Sequence, residues 1–266
     1  MSFLEKIIVA KREEIAAARN LKPQAELEKL AAAREDFRGF AESLTRPGVR
    51  IIAEIKRASP SRGDLRPDLH PGDLARAYQD GGAAAVSVLT EPAFFKGSAK
   101  DLKRARDVVE LPVLRKDFIL DPYQVYETAA MGADAMLLIV RILDDEQLQS
   151  LLALAHGVGL ETLVEIHDEA DARRLAGLDV PVVGINNRDL ESFHTDPARA
   201  ARIAALLPRG AAVVAASGIR DTTDIQRALG TGLRRFLVGE TLVMAPDPAP
   251  LLKQWISLPV PPILNS

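Results

Sequence analysis

The chain has 266 residues, 47% of them hydrophobic, with 34 basic and 37 acidic side chains and a net charge of −3. That length suits one α/β barrel, and the balanced charge gives no global attraction for nucleic acid or an anionic membrane. The lack of cysteine excludes disulfides, zinc–thiolate sites, iron–sulfur clusters and a cysteine nucleophile.

Residues 2–19 are read as an amphipathic helix, with Leu4, Ile8 and Ile15 near one face and Lys11, Arg12, Glu13 and Glu14 largely elsewhere. Asn20 and the Lys22-Pro23 step end it. Further helices are expected around 24–34 and 36–45. Residues 1–8 carry both signs of charge and lack the apolar core of a signal peptide. No apolar run approaches the roughly 18 residues of a spanning helix. A soluble, cytoplasmic protein is expected, its first helix covering one end of a barrel rather than lying on a membrane.

From residue 49 short apolar runs alternate with amphipathic helices. The runs are 49–56, 84–90, 112–118, 133–140, 162–167, 181–187, 212–217 and 235–239. Helical segments lie at 72–80, 98–109, 122–131, 144–157, 168–176, 196–206 and 221–229. Several begin on cap-like residues, Asp121-Pro122, Asp144, Asp196-Pro197 and Asp221-Thr222. Strands apolar on both faces, each followed by a helix, suit a parallel sheet covered by helices. Eight such units in roughly 190 residues fit a closed (β/α)8 TIM barrel. An open doubly wound sheet fits less well, because the glycine-rich dinucleotide fingerprint is missing after the first run. One domain is expected: a helical extension over 1–47, the barrel over 48–256, and an extended or frayed tail over 257–266.

Polar residues collect at the C-terminal ends of the runs, where barrels keep their chemistry. Glu54 and Lys56 lie two apart on the first run, so both share the inward face with Ile52. Charges facing a core need a partner or a purpose, and by themselves these two read equally as an ion pair or as acid/base groups. The third run places Leu114, Lys116 and Phe118 on one face, and such apolar flanks are expected to lower the lysine pKa. The fifth aligns Glu165 with Leu163, making a carboxylate available for proton transfer. The sixth places Gly184, Asn186 and Arg188 together, and the seventh ends in Ser217-Gly218-Ile219. Recurrence at one end of five strands favours a catalytic site over scattered core polar groups.

Gly218 and Gly239 follow the seventh and eighth runs, where barrels commonly bind phosphate through backbone N–H groups. Glu240 is expected to serve there by its N–H alone. His70, His156, His167 and His194 are scattered without a metal-ligand spacing, so no metal is expected, and His167 is read as capping a loop rather than lining the edge of the site.

Together these segments resemble the indole-3-glycerol phosphate synthase family. The resemblance is carried by residues 53–61 (Ala-Glu-Ile-Lys-Arg-Ala-Ser-Pro-Ser), Leu89-Thr90-Glu91, residues 114–118, residues 163–167, residues 184–190, Ser217-Gly218-Ile219 and residues 237–240. It spans essentially the whole chain. It implies cofactor-free closure of 1-(2-carboxyphenylamino)-1-deoxyribulose 5-phosphate to indole-3-glycerol phosphate, with loss of CO2 and water. By that analogy Lys116 is the principal general acid, and Glu165 and Glu54 are the acid/base carboxylates. Lys56 meets substrate anions and shares in proton transfer, Asn186 orients hydroxyls or Glu54, and Ser217 joins the catalytic set. Ser59 and Arg188 are candidates for the anthranilate carboxylate, and Phe118 and Leu137 for the aromatic ring. Backbone groups near Ser217-Gly218 and Gly239-Glu240 are expected on the phosphate.

The expected partner is thus a phosphorylated small molecule, met by a monomer without nucleic acid or membrane. Two alternatives remain at this stage. A Schiff-base aldolase would use Lys56 or Lys116 as nucleophile, and a phosphate-binding barrel or structural subunit would have no use for Glu54, Glu165 and Lys116 together. The polar loop 58–70, with Gly63 and Pro60, reads equally as a lid or as rigid structure.

Overall fold

A computed structural model describes residues 2–188, 199–207 and 210–261. The described residues contain eight parallel strands closed into a barrel: β1 (Arg50–Ile55), β2 (Ala85–Leu89), β3 (Val113–Lys116), β4 (Ala135–Ile139), β5 (Glu161–Ile166), β6 (Val182–Asn186), β7 (Ala212–Ala216) and β8 (Arg235–Val238). Closure is made by β1, which pairs with β8 through Arg50↔Arg235 and with β2 through Ile52↔Ala85. Alternation along each strand explains why the runs are apolar on both faces. Ile52, Leu114, Leu137, Leu163, Val214 and Leu237 fill the barrel interior. Ile51, Ala53, Ile55, Val86 and Val88 face outward into the layer shared with the helices.

Those helices are α4 (Pro71–Asp80), α5 (Pro92–Phe95), α6 (Ala99–Arg106), α7 (Pro122–Ala130), α8 (Asp145–Gly157), α9 (Glu169–Arg173), α10 (Arg199–Ala204), α11 (Thr222–Leu229), α12 (Glu240–Met244) and α13 (Ala249–Ile256). Asp121, Asp144 and Asp221 cap α7, α8 and α11 as the sequence predicts, each accepting from a first-turn N–H. The predicted Asp196-Pro197 cap, like His194, lies outside the described residues. Short α5 and α12 escape periodicity altogether, because a single turn carries no repeat. Of the tail only residues 257–261 are described: Leu258 and Val260 lie against the core, and Arg234 Nη2 donates to the Pro261 carbonyl at 2.9 Å.

The helices that precede the barrel are α1 (Phe3–Leu21), α2 (Gln24–Ala32) and α3 (Phe40–Thr45). They serve both ends of the barrel rather than one. Phe40 and Leu44 of α3 enter the interior cluster at the strand starts. Arg50 Nε donates to the Ser43 carbonyl at 2.9 Å and Arg235 Nε to the Leu44 carbonyl at 2.7 Å, so α3 is sealed as the floor. Below β4, buried Asp134 gathers Arg34 at 2.8 Å and Arg106 at 3.3 Å, tying the extension to the barrel. Helix α1 instead crosses the C-terminal end.

The first helix begins with a reciprocal cap between Ser2 and Glu5. Its buried face is Ile7, Lys11 and Ile15, at i, i+4 and i+8. This corrects the placement of Lys11 among the outward residues: it is 1% exposed. Its Nζ lies 2.8 Å from Asp117 Oδ1 and 2.7 Å from Glu14 Oε2. Asp117 itself follows β3, so α1 is locked by a buried ion pair to the strand end that carries Lys116. Among the described residues no helix is long and apolar enough to cross a membrane.

Candidate active site

A cavity of about 670 Å3 opens at the C-terminal ends of the strands, a size suited to a small organic ligand. Every site residue named from the sequence lines it: Glu54, Lys56, Ser59, Lys116, Phe118, Leu137, Glu165, Asn186, Arg188, Ser217, Gly218, Gly239 and Glu240. Their convergence follows from the parallel topology, since each strand ends at the same rim.

Glu54 and Lys56 close an ion pair at 2.9 Å, with side chains only 6% and 17% exposed. The backbone carrying Glu54 is held from outside, where the buried Tyr78 hydroxyl donates to its carbonyl at 3.0 Å. Gly239 permits this arrangement. A Cβ there would lie 2.5 Å from Glu54 Oε1 and 3.0 Å from Lys56 Nζ. Gly239→Ala is therefore expected to displace the pair and lower kcat/KM by at least about tenfold, with the circular dichroism spectrum unchanged. Wild-type kcat/KM in that variant would show that the pair has room to move.

Across the cavity Lys116 Nζ stands 3.4 Å from Glu165 Oε2. The expected lowering of the lysine pKa does not occur. Burial pushes the ammonium toward neutrality, but Glu165 and then Glu54 outweigh it, and Lys116 sits above its ordinary value. Burial likewise raises Glu165, while Lys116, His167 and Asn186 outweigh it and hold the carboxyl below its usual range. An ammonium facing a carboxylate is the form suited to giving a proton, not to nucleophilic attack.

Asn186 orients Glu165, not Glu54. Its Nδ2 donates to Glu165 Oε1 at 3.2 Å, while its Oδ1 accepts from Ser217 Oγ at 2.9 Å and from the Arg188 N–H at 3.0 Å. Ser217 is left-handed at φ 67°, costly for a residue with a side chain by about 1 kcal/mol or more. That bond to Asn186, and one from Asn187 Nδ2 to the Ser217 carbonyl at 3.1 Å, hold it there. Gly218 follows at φ 88°, a conformation that favours glycine. Past Gly239, α12 starts without a side-chain cap.

Loop residues 58–64 form a small hairpin, pairing Ala58–Ser59 with Gly63–Asp64. Ser61 Oγ accepts from Arg188 Nη1, and Arg62 Nε lies 3.1 Å from Glu240 Oε1. One oxygen of the Glu240 carboxylate is thus engaged by the hairpin. Buried Ser59 Oγ, by contrast, borders the cavity without a hydrogen-bond partner.

Sequence reasoning named Phe118 and Leu137 but missed the rest of the aromatic and apolar wall. Glu91 caps α5 by accepting from the N–H groups of Ala93, Phe94 and Phe95, and Phe95 stands 6.2 Å from the Phe118 ring. Phe3, Leu4 and Ile7 of α1 complete the wall. The signal for Phe95 was local: Glu91-Pro92 is a cap followed by a first-turn proline. His167 caps no loop by its ring; it is buried behind Glu165 and does not line the cavity.

A family model described as indole-3-glycerol phosphate synthase matches residues 4–254. The chain is 51% identical over 259 residues to an indole-3-glycerol phosphate synthase of Desulfosudis oleivorans, covering 96% of this chain and 98% of that relative. It is 43% identical over 259 residues to one from Bordetella pertussis, covering 96% and 99%. Among solved structures, 3-hexulose-6-phosphate synthase from Salmonella typhimurium matches with a TM-score of 0.60 at 16% identity, covering 77% of this chain and 96% of that one. Orotidine 5'-phosphate decarboxylase from Pyrococcus horikoshii gives 0.58 at 13%, covering 77% and 97%. Those two share the barrel fold. On the family match and the two full-length relatives, the chain belongs to the indole-3-glycerol phosphate synthase family.

Proposed function

We propose that this cavity closes the indole ring, converting 1-(2-carboxyphenylamino)-1-deoxyribulose 5-phosphate to indole-3-glycerol phosphate, CO2 and water in tryptophan biosynthesis. The observation that carries the division of roles is the Lys116–Glu165 pair at 3.4 Å beside an aromatic wall. Lys116 donates to the ribulose carbonyl oxygen while the ring carbon bearing the carboxylate attacks the carbonyl carbon. The cationic imine so formed accepts the electrons released as CO2 leaves, so no cofactor is required. Lys116, reprotonated from solvent, then gives a proton to the departing hydroxyl, which leaves as water, and Glu165 or Glu54 takes the proton lost as the indole double bond forms.

Binding follows from charge and shape. Phe118, Phe95 and Leu137 take the anthranilate ring, and Ser59, with its unpartnered hydroxyl, and Arg188 take its carboxylate. Lys56 meets substrate anions by exchanging part of its bond to Glu54. Backbone N–H groups at Gly218, Gly239 and Glu240 hold the phosphate, helped by the start of α12. The working unit is residues 1–266 as one domain and one monomer, acting in the cytoplasm. One chain supplies every group named here, including the wall from α1.

The test adds the carboxyphenylamino-deoxyribulose phosphate and follows indole fluorescence together with released CO2. Both signals should rise at equal rates. Silence from folded protein in several buffers would remove the reading, and a lysine trapped by borohydride on a keto-sugar phosphate would favour the aldolase instead.

A further inference from the structure

His167, just past the end of β5, is 1% exposed, and neither ring nitrogen has a hydrogen-bond partner. Its Nε2 lies 3.6 Å from Glu165 Oε1 and its Nδ1 3.7 Å from Asp171 Oδ2. Asp171 also accepts the backbone N–H of His167 at 2.9 Å, which fixes the ring between the two carboxylates. Orphaned buried nitrogens are costly, and an approach of a few tenths of an ångström on each side would satisfy both.

The neighbouring charges decide which form of the ring fits. Lys116 from β3 and Asn186 from β6 face Glu165 on the cavity side. Behind the ring, Arg141 reaches Asp171 at 3.7 Å and also pairs with Asp168. Glu165 and Asp171 are the buried carboxylates that flank the ring, whereas the Asp168 side chain is 44% exposed. A neutral imidazole would turn a lone pair toward one of these two carboxylates. The doubly protonated ring can donate to both.

We propose that His167 is a positioning residue for Glu165, bridging it to Asp171 as an imidazolium and fixing the carboxylate from behind. Glu165 Oε1 is then held by His167 and Asn186, and Oε2 is left to Lys116 and the substrate. Glu165 is held below its usual range partly by this cation, so losing it should raise the proton affinity of Glu165. This inference rests on the ring-closure reading only for its kinetic consequences.

Two variants and one spectrum test it. His167→Gln keeps a donor without the charge, and His167→Phe keeps the ring without a donor. His167→Gln should lose about tenfold in kcat with KM within about twofold, and the acid limb of its pH profile should move up by about one unit. His167→Phe should lose more in kcat. The 15N spectrum of wild-type imidazole at pH 7 should show both His167 nitrogens protonated. A folded His167→Gln with wild-type kcat and an unmoved acid limb would overturn the proposal, as would a spectrum of a neutral tautomer. If wild type itself shows no turnover, the ring-closure reading fails, and the 15N spectrum alone decides the bridge. The spectrum likewise decides if neither variant folds.

Discussion

Lys116→Ala should lower kcat by about a thousandfold or more while substrate still binds with a Kd within a few-fold of wild type. The size follows from general acid catalysis, worth about 10²–10⁴-fold, acting here in more than one step. Lys116 is the cation aimed into the cavity opposite Glu165, and Glu54 adds to the field that keeps it charged. Binding should survive because the aromatic wall, Arg188 and the glycine loops are left in place. Lys116→Arg should not restore turnover, since a guanidinium keeps its charge but does not release a proton in this pH range. Because Lys116 sits above its ordinary value, wild-type activity should show no alkaline loss from this group until beyond the usual lysine range. Stopped-flow fluorescence for turnover and titration calorimetry for binding would separate the two effects. Near-normal turnover in Lys116→Ala would take the residue out of its role.

Much of this site could be read in one dimension because barrel geometry turns strand order into proximity. Glu54, Lys116, Glu165 and Asn186 each occupy an inward position at a strand end, and eight parallel strands bring those ends to one rim. What escaped was whatever depends on a partner distant in sequence. A lysine between Ala10 and Arg12 looks like part of a solvated face, and nothing nearby announces Asp117. Apolar flanks around Lys116 suggested a lowered pKa because desolvation is visible in a strand's own residues, whereas Glu165 and Glu54 arrive from other strands. Asn186 read as orienting hydroxyls or Glu54, but its strand neighbour in the barrel is β5, so Glu165 is the carboxylate it bonds. Phe95 was hidden by brevity, since α5 has four residues and no period.

Lys11→Met should be strongly destabilising although Lys11 lies outside the cavity, because it breaks a buried network from one side. Asp117 has a fully buried side chain and receives Lys11 at 2.8 Å, Arg115 at 3.1 Å, Thr90 Oγ1 at 2.5 Å and the Phe118 N–H at 2.8 Å. Arg115 extends the network to Glu127 of α7 at 2.7 Å. Removing one partner of a buried ion pair costs about 3–5 kcal/mol, which in a chain of this size lowers the thermal midpoint by roughly 6–15 °C. Burial raises the Asp117 carboxyl, but Arg115 and Lys11 outweigh it, so its folded value lies below the ordinary one. Its stabilising contribution is therefore complete above the ordinary aspartate range and fades as pH falls through the folded value. The gap between Lys11→Met and wild type should narrow in acid accordingly. The same network stands between Lys116 and Phe118 in sequence and anchors the helix that carries Phe3, Leu4 and Ile7 into the cavity. KM should therefore rise in Lys11→Met, since a loosened α1 withdraws part of the aromatic wall. Thermal unfolding followed at pH 7 and again near pH 3, with KM measured at pH 7, tests both consequences. A midpoint within about 1–2 °C of wild type at pH 7 would show that Glu14 and Arg115 hold α1 and Asp117 without Lys11.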